Sequence, residues 1–361
     1  MNRRSLMTLL ASLAAMRTHS ANTDRMQTAA QIIQKQVDAG VLESAVLHVR
    51  RGQDTFQQAF GRAKDADAIF LLASITKTMT AAGVMVLADR GELRLSDKAM
   101  KFIPDFSEGA RKDITVEQLL THTSGLPDQL KNNTELRSNH APLADFIRGA
   151  IRTPLLFTPG TEYHYQSMGI LLAAEIVERL TKTQLPDFLA KEVFAPLGMT
   201  SSTLGLGKFK LEDTIRCQTE HAAPESGAGD PKAAAWDWNS TYWRNLAAPW
   251  GGAHGSAGDV ARFLGSFLHP EGKVLREETA RLMIQNHTEG LEARRGIGFA
   301  LGPKFFGKSC SMKSFGHNGS TGTLAWADPE SDTTCVILTS LPARVSGDTV
   351  LQPVADVVSA I

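Results

Sequence analysis

The chain has 361 residues, with 38 Lys+Arg balanced by 38 Asp+Glu and a formal net charge of zero. That length suits one large domain or two intimate ones. The charge balance removes any electrostatic reason to expect a nucleic-acid or acidic-membrane partner. The three cysteines, Cys217, Cys310 and Cys335, are too far apart for metal-ligand spacing and too few for a disulfide framework. They read as buried free thiols, with a Cys310–Cys335 bridge as the open alternative.

In chain order, Arg3 and Arg4 precede an apolar run from Leu6 to Ala15 with small residues after it. This is the order of a short signal peptide over residues 1–22, which points to export to the periplasm or medium. A cytosolic amphipathic helix is the alternative. A helical pattern runs from about Asp24 to Ala39, and "SAVLHVRRGQDTFQQAFG" alternates around Arg51-Gly52 as a β-hairpin. A helix is predicted from about Ser74 to Arg90, closed by Gly91.

The middle of the chain is mostly helical. Thr115 and Gln118 have capping-box spacing ahead of "THTSGLP". "SMGILLAAEIVERLTK" and "LPDFLAKEVFAPLGM" are amphipathic, and Ser256 caps "GSAGDVARFLGSFL". Residues 221–235 read as a polar surface loop. At the end, "RGIGFALGP", "SFGHNGSTGTLAWAD" and "TTCVILTSL" are β-type runs, and "DTVLQPVADVVSAI" is a helix. Strands at both ends and helices between them predict an α+β fold. Its sheet domain would be built from residues 23–95 and 285–361, with 96–284 as a mostly helical insertion. No later stretch is long and apolar enough to span a bilayer.

The chemistry starts at "ASITK". Ser74 and Lys77 lie one helical turn apart on the same face, at a helix start whose dipole favours a serine oxyanion. Lys77 is the only charged residue between Asp67 and Asp89. Burial in such an apolar helix lowers a lysine's pKa, and a neutral lysine can take a serine's proton. The bland reading is a lysine that snorkels to water beside a capping serine. Rival schemes find no support: there is no Gly-x-Ser-x-Gly elbow, no His-Glu-x-x-His zinc motif and no phosphate- or dinucleotide-binding glycine loop. No metal or organic cofactor is expected. A Ser–Lys site also needs a proton relay for the leaving group, which tyrosine near a lysine can provide, and two N–H donors for the oxyanion. The Gly-rich edge "FGHNGSTG" is a candidate for one of those donors, although an ordinary hairpin turn explains it as well.

Four segments, in order, resemble the serine β-lactamase and penicillin-binding superfamily, above all its class C branch with the DD-peptidases and family VIII carboxylesterases. They are "SITK", "LLTHTSGLP", "PGTEYHYQS" and "GHNGSTG"; "GGAHGSAGDVARFL" is similar to a family segment too. The resemblance implies that Ser74 is the acyl-forming nucleophile, Lys77 its base and Tyr165 the proton relay. It implies an oxyanion hole from the N–H groups of Ser74 and Ser320. It places Ser167, His317, Asn318 and Gly319 at the substrate, with His317 where many members keep a carboxylate-binding lysine.

Two positions depart from the pattern. Ser167 replaces the amide-gripping Asn and lacks its NH₂ group, and a cap for the following helix is its other reading. His317 is a weaker anion anchor than lysine. His122 reads as a structural residue of its loop, His164 as pointing away from both neighbouring tyrosines, and Tyr163 as packing. The aromatic group Trp236, Trp238, Tyr242, Trp243 and Trp250 lines an acyl pocket or packs the helical region. The expected activity is hydrolysis of a small ester or amide through an acyl-enzyme, with carboxylesterase ahead of peptidase and peptidase ahead of β-lactamase. The expected partner is a small-molecule or peptide substrate. A non-catalytic relative that binds peptidoglycan or another partner is the alternative from another class.

Overall fold

A computed structural model describes residues 24–229 and 231–361. The export signal read at 1–22 lies outside the described residues. The frame is a six-stranded antiparallel sheet of order β2-β1-β9-β8-β7-β6. Its strands are β1 (Ser44–Arg51), β2 (Asp54–Gly61), β6 (Ala300–Leu301), β7 (Phe315–Gly319), β8 (Thr323–Asp328) and β9 (Thr333–Thr339). Both ends of the described chain meet at its centre, where β1 pairs with β9 through Val49↔Cys335 and Leu47↔Ile337. A second, three-stranded sheet joins β3 (Phe70–Leu71), β5 (Ala253–Gly255) and β4 (Ser202–Leu204), with β5 in the middle.

Strand alternation divides the core in two. Leu47, Val49, Trp326, Cys335 and Ile337 face one side, against α1 (residues 24–38) and the C-terminal helix, through Ile33 and Val354. Val46, Ala325, Val336 and Leu338 face the other side and join a cluster that reaches through the whole helical layer. That layer holds α2 (Thr76–Asp89), α3 (Val116–Leu120), α4 (Leu143–Arg152), α5 (Met168–Thr181) and α6 (Ala257–Leu268). All but two residues of α2, from Thr76 to Leu87, are buried, which is the pattern of a helix surrounded by protein. It packs against α5, while α6 returns to lie on β9 and β8. The closing helix, α7, spans Gln352–Ser359.

The β1–β2 hairpin, the Thr115–Gln118 capping box and the Ser256 cap form as the sequence predicts. Other local expectations fare differently. The helix predicted to start at Ser74 opens instead as a 3-10 turn, Ala73–Ile75, and becomes α-helical at Thr76. Ala73 sits at φ +47°, outside helical space. "RGIGFALGP" supplies only the two residues of β6, because the main chain before it bonds to helix C-termini: Ile297 N–H to Met283 O and Gly298 N–H to Leu120 O. As expected of a surface loop, most of the described residues in 221–235 are exposed, although its short 3-10 turns bury Ala222, Ser226 and Ala233. Ser167 stands at the N-cap of α5 without a side-chain capping bond.

The three cysteines are buried free thiols, and burial pushes Cys310 up to about 12 and Cys335 well above the usual thiol range. No helix among the described residues is long and apolar enough to cross a membrane.

The β7–β8 turn closes at Gly322, φ +93°, where an added Cβ would collide with the Leu341 carbonyl and Thr339 Oγ1. Gly322→Ala is therefore expected to cost about 1–3 kcal/mol of stability, read as a lower urea midpoint at unchanged slope.

Candidate active site

The Ser74 turn is fixed from two directions. Thr76 Oγ1 donates to Ala73 O (2.6 Å) and accepts the N–H of Ala253 (3.0 Å), and Leu72 N–H bonds Ala253 O (2.8 Å). Thr80 Oγ1 donates to Pro249 O (2.7 Å). The 249–253 segment is thereby laced to the foot of α2. From the other direction come Thr321 Oγ1 on Leu71 O (2.8 Å) and Thr323 Oγ1 on Leu72 O (3.0 Å). These tie the end of β7 to the same turn. Gly319 makes the approach possible: a Cβ there would lie 2.6 Å from Leu72 O. The left-handed Ala73 costs about 1–2 kcal/mol in its own backbone, and the two sets of bonds hold it in place.

Lys77 is closed off from water, 1% exposed. Its Nζ donates to Ser74 Oγ at 3.0 Å and to Trp250 O at 2.9 Å. Burial brings its pKa down to about 8; Asp128 pulls it up and Arg295 pushes it further down. The Tyr165 ring lies 4.8 Å from Lys77 Nζ, and Ser74 acts on its hydroxyl. Burial, then Asp128, raises the Tyr165 hydroxyl above its ordinary range, against the opposing bond from Ser74 and the Arg295 charge. Burial and Asp128 outweigh the Ser74 and Arg295 contributions, so the Tyr165 hydroxyl stays neutral at ordinary pH.

The segment carrying Tyr165 is zipped onto the "THTSGLP" loop. Leu156 N–H bonds Gly125 O, Gly160 N–H bonds Thr123 O and His164 N–H bonds His122 O. Ser124 Oγ donates to Gln166 Oε1 at 2.7 Å. His122 is buried at φ +65°, accepts Gln166 N–H on Nδ1 and packs 4.8 Å from the Tyr165 ring. Burial drives its pKa well below the usual histidine value, so it supports the tyrosine as a neutral ring. His164 is exposed, as an extended strand alternating with the two tyrosines requires.

Ser74, Tyr165, Ser167 and Ser320 share the wall of one cavity of about 270 Å³. A larger cavity of about 410 Å³, lined by Arg50, Arg262 and Phe267, contains none of these groups. Ser167 Oγ donates to Asp128 Oδ1 at 2.6 Å. His317 departs from the part of an anion anchor. It is 2% exposed behind Tyr165, its Nδ1 bonds Asn318 O, and burial followed by the Arg295 and Lys77 charges holds it neutral. Asn318 is exposed on β7. Of the aromatic group, Trp238, Trp243 and Trp250 line the cavity. Tyr242 instead donates to Ala141 O and stacks on His140. Among the described residues no group of three or more His, Cys, Asp or Glu is placed to hold a metal ion.

Sequence reasoning missed Asp128 and Arg295. Asp128 directly follows "THTSGLP" and could have been noticed as the first charge after that loop. Arg295 has no motif around it. It is 5% exposed, donates to Tyr163 Oη, and lies over the rings of Tyr163 (5.2 Å), Tyr165 (5.6 Å) and Phe305 (5.0 Å). Its Nε and Nη1 have no protein partner among the described residues. Tyr163 is therefore more than packing, since it anchors this guanidinium.

This antiparallel sheet, with its helical layer and a serine–lysine–tyrosine cluster at the sheet edge, is the architecture of the serine β-lactamase and penicillin-binding superfamily. The Beta-lactamase family model matches residues 29–358, and the chain belongs to that family, a serine hydrolase by its membership. It is 23% identical over 374 residues to an Escherichia coli (strain K12) protein named as a D-alanyl-D-alanine carboxypeptidase, covering 92% of this chain and 86% of the other. Among solved structures it is similar to EstCE1, a hydrolase with promiscuous acyltransferase activity, at a TM-score of 0.76 and 20% identity, covering 94% and 99% of the two chains. It is also similar to the D-amino acid amidase of Ochrobactrum anthropi SV3, at a TM-score of 0.72 and 24% identity, covering 94% and 97%. At these identities the structural likenesses establish the fold.

With Lys77 as base, kcat/KM should rise with pH and level off above an inflection near 8. Arg295→Met removes a charge that favours neutral Lys77, so the inflection should move to higher pH, and Arg295→Lys should largely restore it. A pH profile on an ester substrate reads both; an unmoved inflection in Arg295→Met would show that the guanidinium only packs.

Proposed function

We propose that this protein hydrolyses a small ester or amide through an acyl-enzyme, with carboxylesterase-like chemistry the first expectation. The observation that carries this is the Lys77–Ser74 pair, with a water-excluded amine 3.0 Å from the serine hydroxyl and a pKa of about 8. In the proposed reaction, neutral Lys77 accepts the Ser74 proton as Oγ attacks the carbonyl carbon. The N–H groups of Ser74 and Ser320 receive the oxyanion, and Tyr165 passes the proton to the departing alkoxide or amine. Water then repeats the sequence on the acyl-enzyme in reverse roles.

The EstCE1 and amidase likenesses support ester and amide substrates, and the named Escherichia coli relative keeps D-alanyl-D-alanine peptides as the second reading. Against that second reading, the position of the carboxylate-binding lysine holds a buried neutral His317. The basic and apolar N-terminal run, Arg3 to Ala15, supports an exported enzyme.

Ser74→Ala should lose labelling by a fluorophosphonate probe and the acyl-enzyme mass after a p-nitrophenyl ester pulse. Tyr165→Phe should lower kcat/KM about 10²–10⁴-fold, and Tyr163→Phe by about tenfold or less. Equal losses in the two tyrosine variants would remove Tyr165 from the relay. Fast turnover of a chromogenic cephalosporin without esterase activity would reverse the substrate order.

A further inference from the structure

We propose that Asp128 forms an ammonium subsite beside the nucleophile, so that the preferred substrates are small esters or amides with a protonated amine close to the scissile carbonyl. This rests on the acyl-enzyme reading above and names its substrate class.

Asp128 shares the cavity wall with Ser74, Tyr165 and Ser167. Its charge reaches the catalytic groups, since it raises the pKa of both Lys77 and Tyr165. Its Oδ1 accepts the Ser167 hydroxyl at 2.6 Å. A serine hydroxyl has one proton, and this bond uses it. Ser167 therefore offers the cavity only lone pairs, as does the carboxylate next to it. Where the resembling enzymes present an amide that both donates and accepts, this chain presents acceptors alone. Such a surface pairs with a group that only donates, and an ammonium with its three N–H bonds is that group. A substrate carbonyl or carboxylate at this spot would find no donor and a like charge.

No lysine, arginine or histidine forms an ion pair with Asp128 among the described residues. The cations elsewhere on the cavity wall are committed. Arg137 donates to Glu225 O and Trp236 O and lies against the rings of Trp236 (4.9 Å) and Trp243 (4.2 Å), while Arg344 donates to Ala222 O. A partly exposed carboxylate facing a cavity, with one hydroxyl as its bonded partner, is left to recruit its counter-charge from the substrate.

The test compares alanine p-nitroanilide with N-acetylalanine p-nitroanilide, in both enantiomers, and p-nitrophenyl butyrate as an amine-free ester. The readout is the ratio of kcat/KM for the amine over the N-acetyl substrate, because Asp128 also tunes Lys77. The wild-type enzyme should favour the free amine below pH 7, and the ratio should fall as the α-amine loses its proton near pH 8. Asp128→Asn should lower the ratio about 10- to 100-fold, Asp128→Glu should keep most of it, and fluorophosphonate labelling of Ser74 reports whether each variant is folded. A ratio unchanged in labelled Asp128→Asn, or a wild-type preference for the N-acetyl substrate at every pH, overturns the ammonium subsite while ester turnover keeps the hydrolase reading. Wild-type protein that neither labels nor turns over the butyrate ester overturns both.

Discussion

One lysine ammonium, closed off from water at the foot of α2, governs the architecture around it. A cation in such a place is costly unless it is hydrogen-bonded or gives up its proton. Lys77 does some of each: it has two oxygen partners, Ser74 Oγ and Trp250 O, and a pKa lowered to about 8. Both partners come from elements that must be held in place. The Trp250 carbonyl arrives on the 249–253 segment, which Thr76 and Thr80 lace to the helix. Ser74 arrives on a turn that needs a left-handed alanine and the end of β7 pressed against it. The small sheet, the first turn of α2 and the β7–β8 hairpin are parts of one arrangement that holds the Lys77 amine against the Ser74 hydroxyl.

The sequence carried the outline of this arrangement because its signals are local. Ser74 and Lys77 are three residues apart, and the hairpins and caps are written in adjacent residues. That both ends of the chain contribute strands to one antiparallel sheet was legible as well, since β-type runs occur at both ends; which strands pair was not. What escaped depends on long-range contact. Nothing in "ARRGIGF" announces that Arg295 will lie against two tyrosines about 130 residues earlier. The strand-like look of that run fails because the N–H groups of Ile297 and Gly298 bond the C-terminal carbonyls of two helices, Met283 O and Leu120 O. A helix cap was the alternative reading of Ser167, but its hydroxyl goes to Asp128, from another loop.

The charges around Lys77 oppose one another. Asp128 favours its protonated form and Arg295 its neutral form. Asp128 borders the cavity, and Arg295 lies 5.6 Å from the Tyr165 ring centre. A substrate ammonium docked on Asp128 would offset that carboxylate and shift Lys77 toward the neutral base. Substrate binding would then help to activate the enzyme's own nucleophile, a differential effect that neutral substrates cannot produce.

Arg295 also accounts for the unusual residue on β7. A lysine at position 317 would place a second buried cation behind Tyr165, beside Arg295 and within the field of Lys77. Three cations sharing a water-poor site without a paired carboxylate would repel one another at little screening. Histidine resolves the conflict, because burial and the same two cations hold it neutral, and a neutral imidazole can pack against the Tyr165 ring at 5.9 Å. The buried positive charge of Arg295 lies against the Tyr165 ring instead of on β7. The cavity wall shared by Ser74, Tyr165 and Ser167 carries the Asp128 carboxylate, which disfavours a substrate carboxylate at that spot.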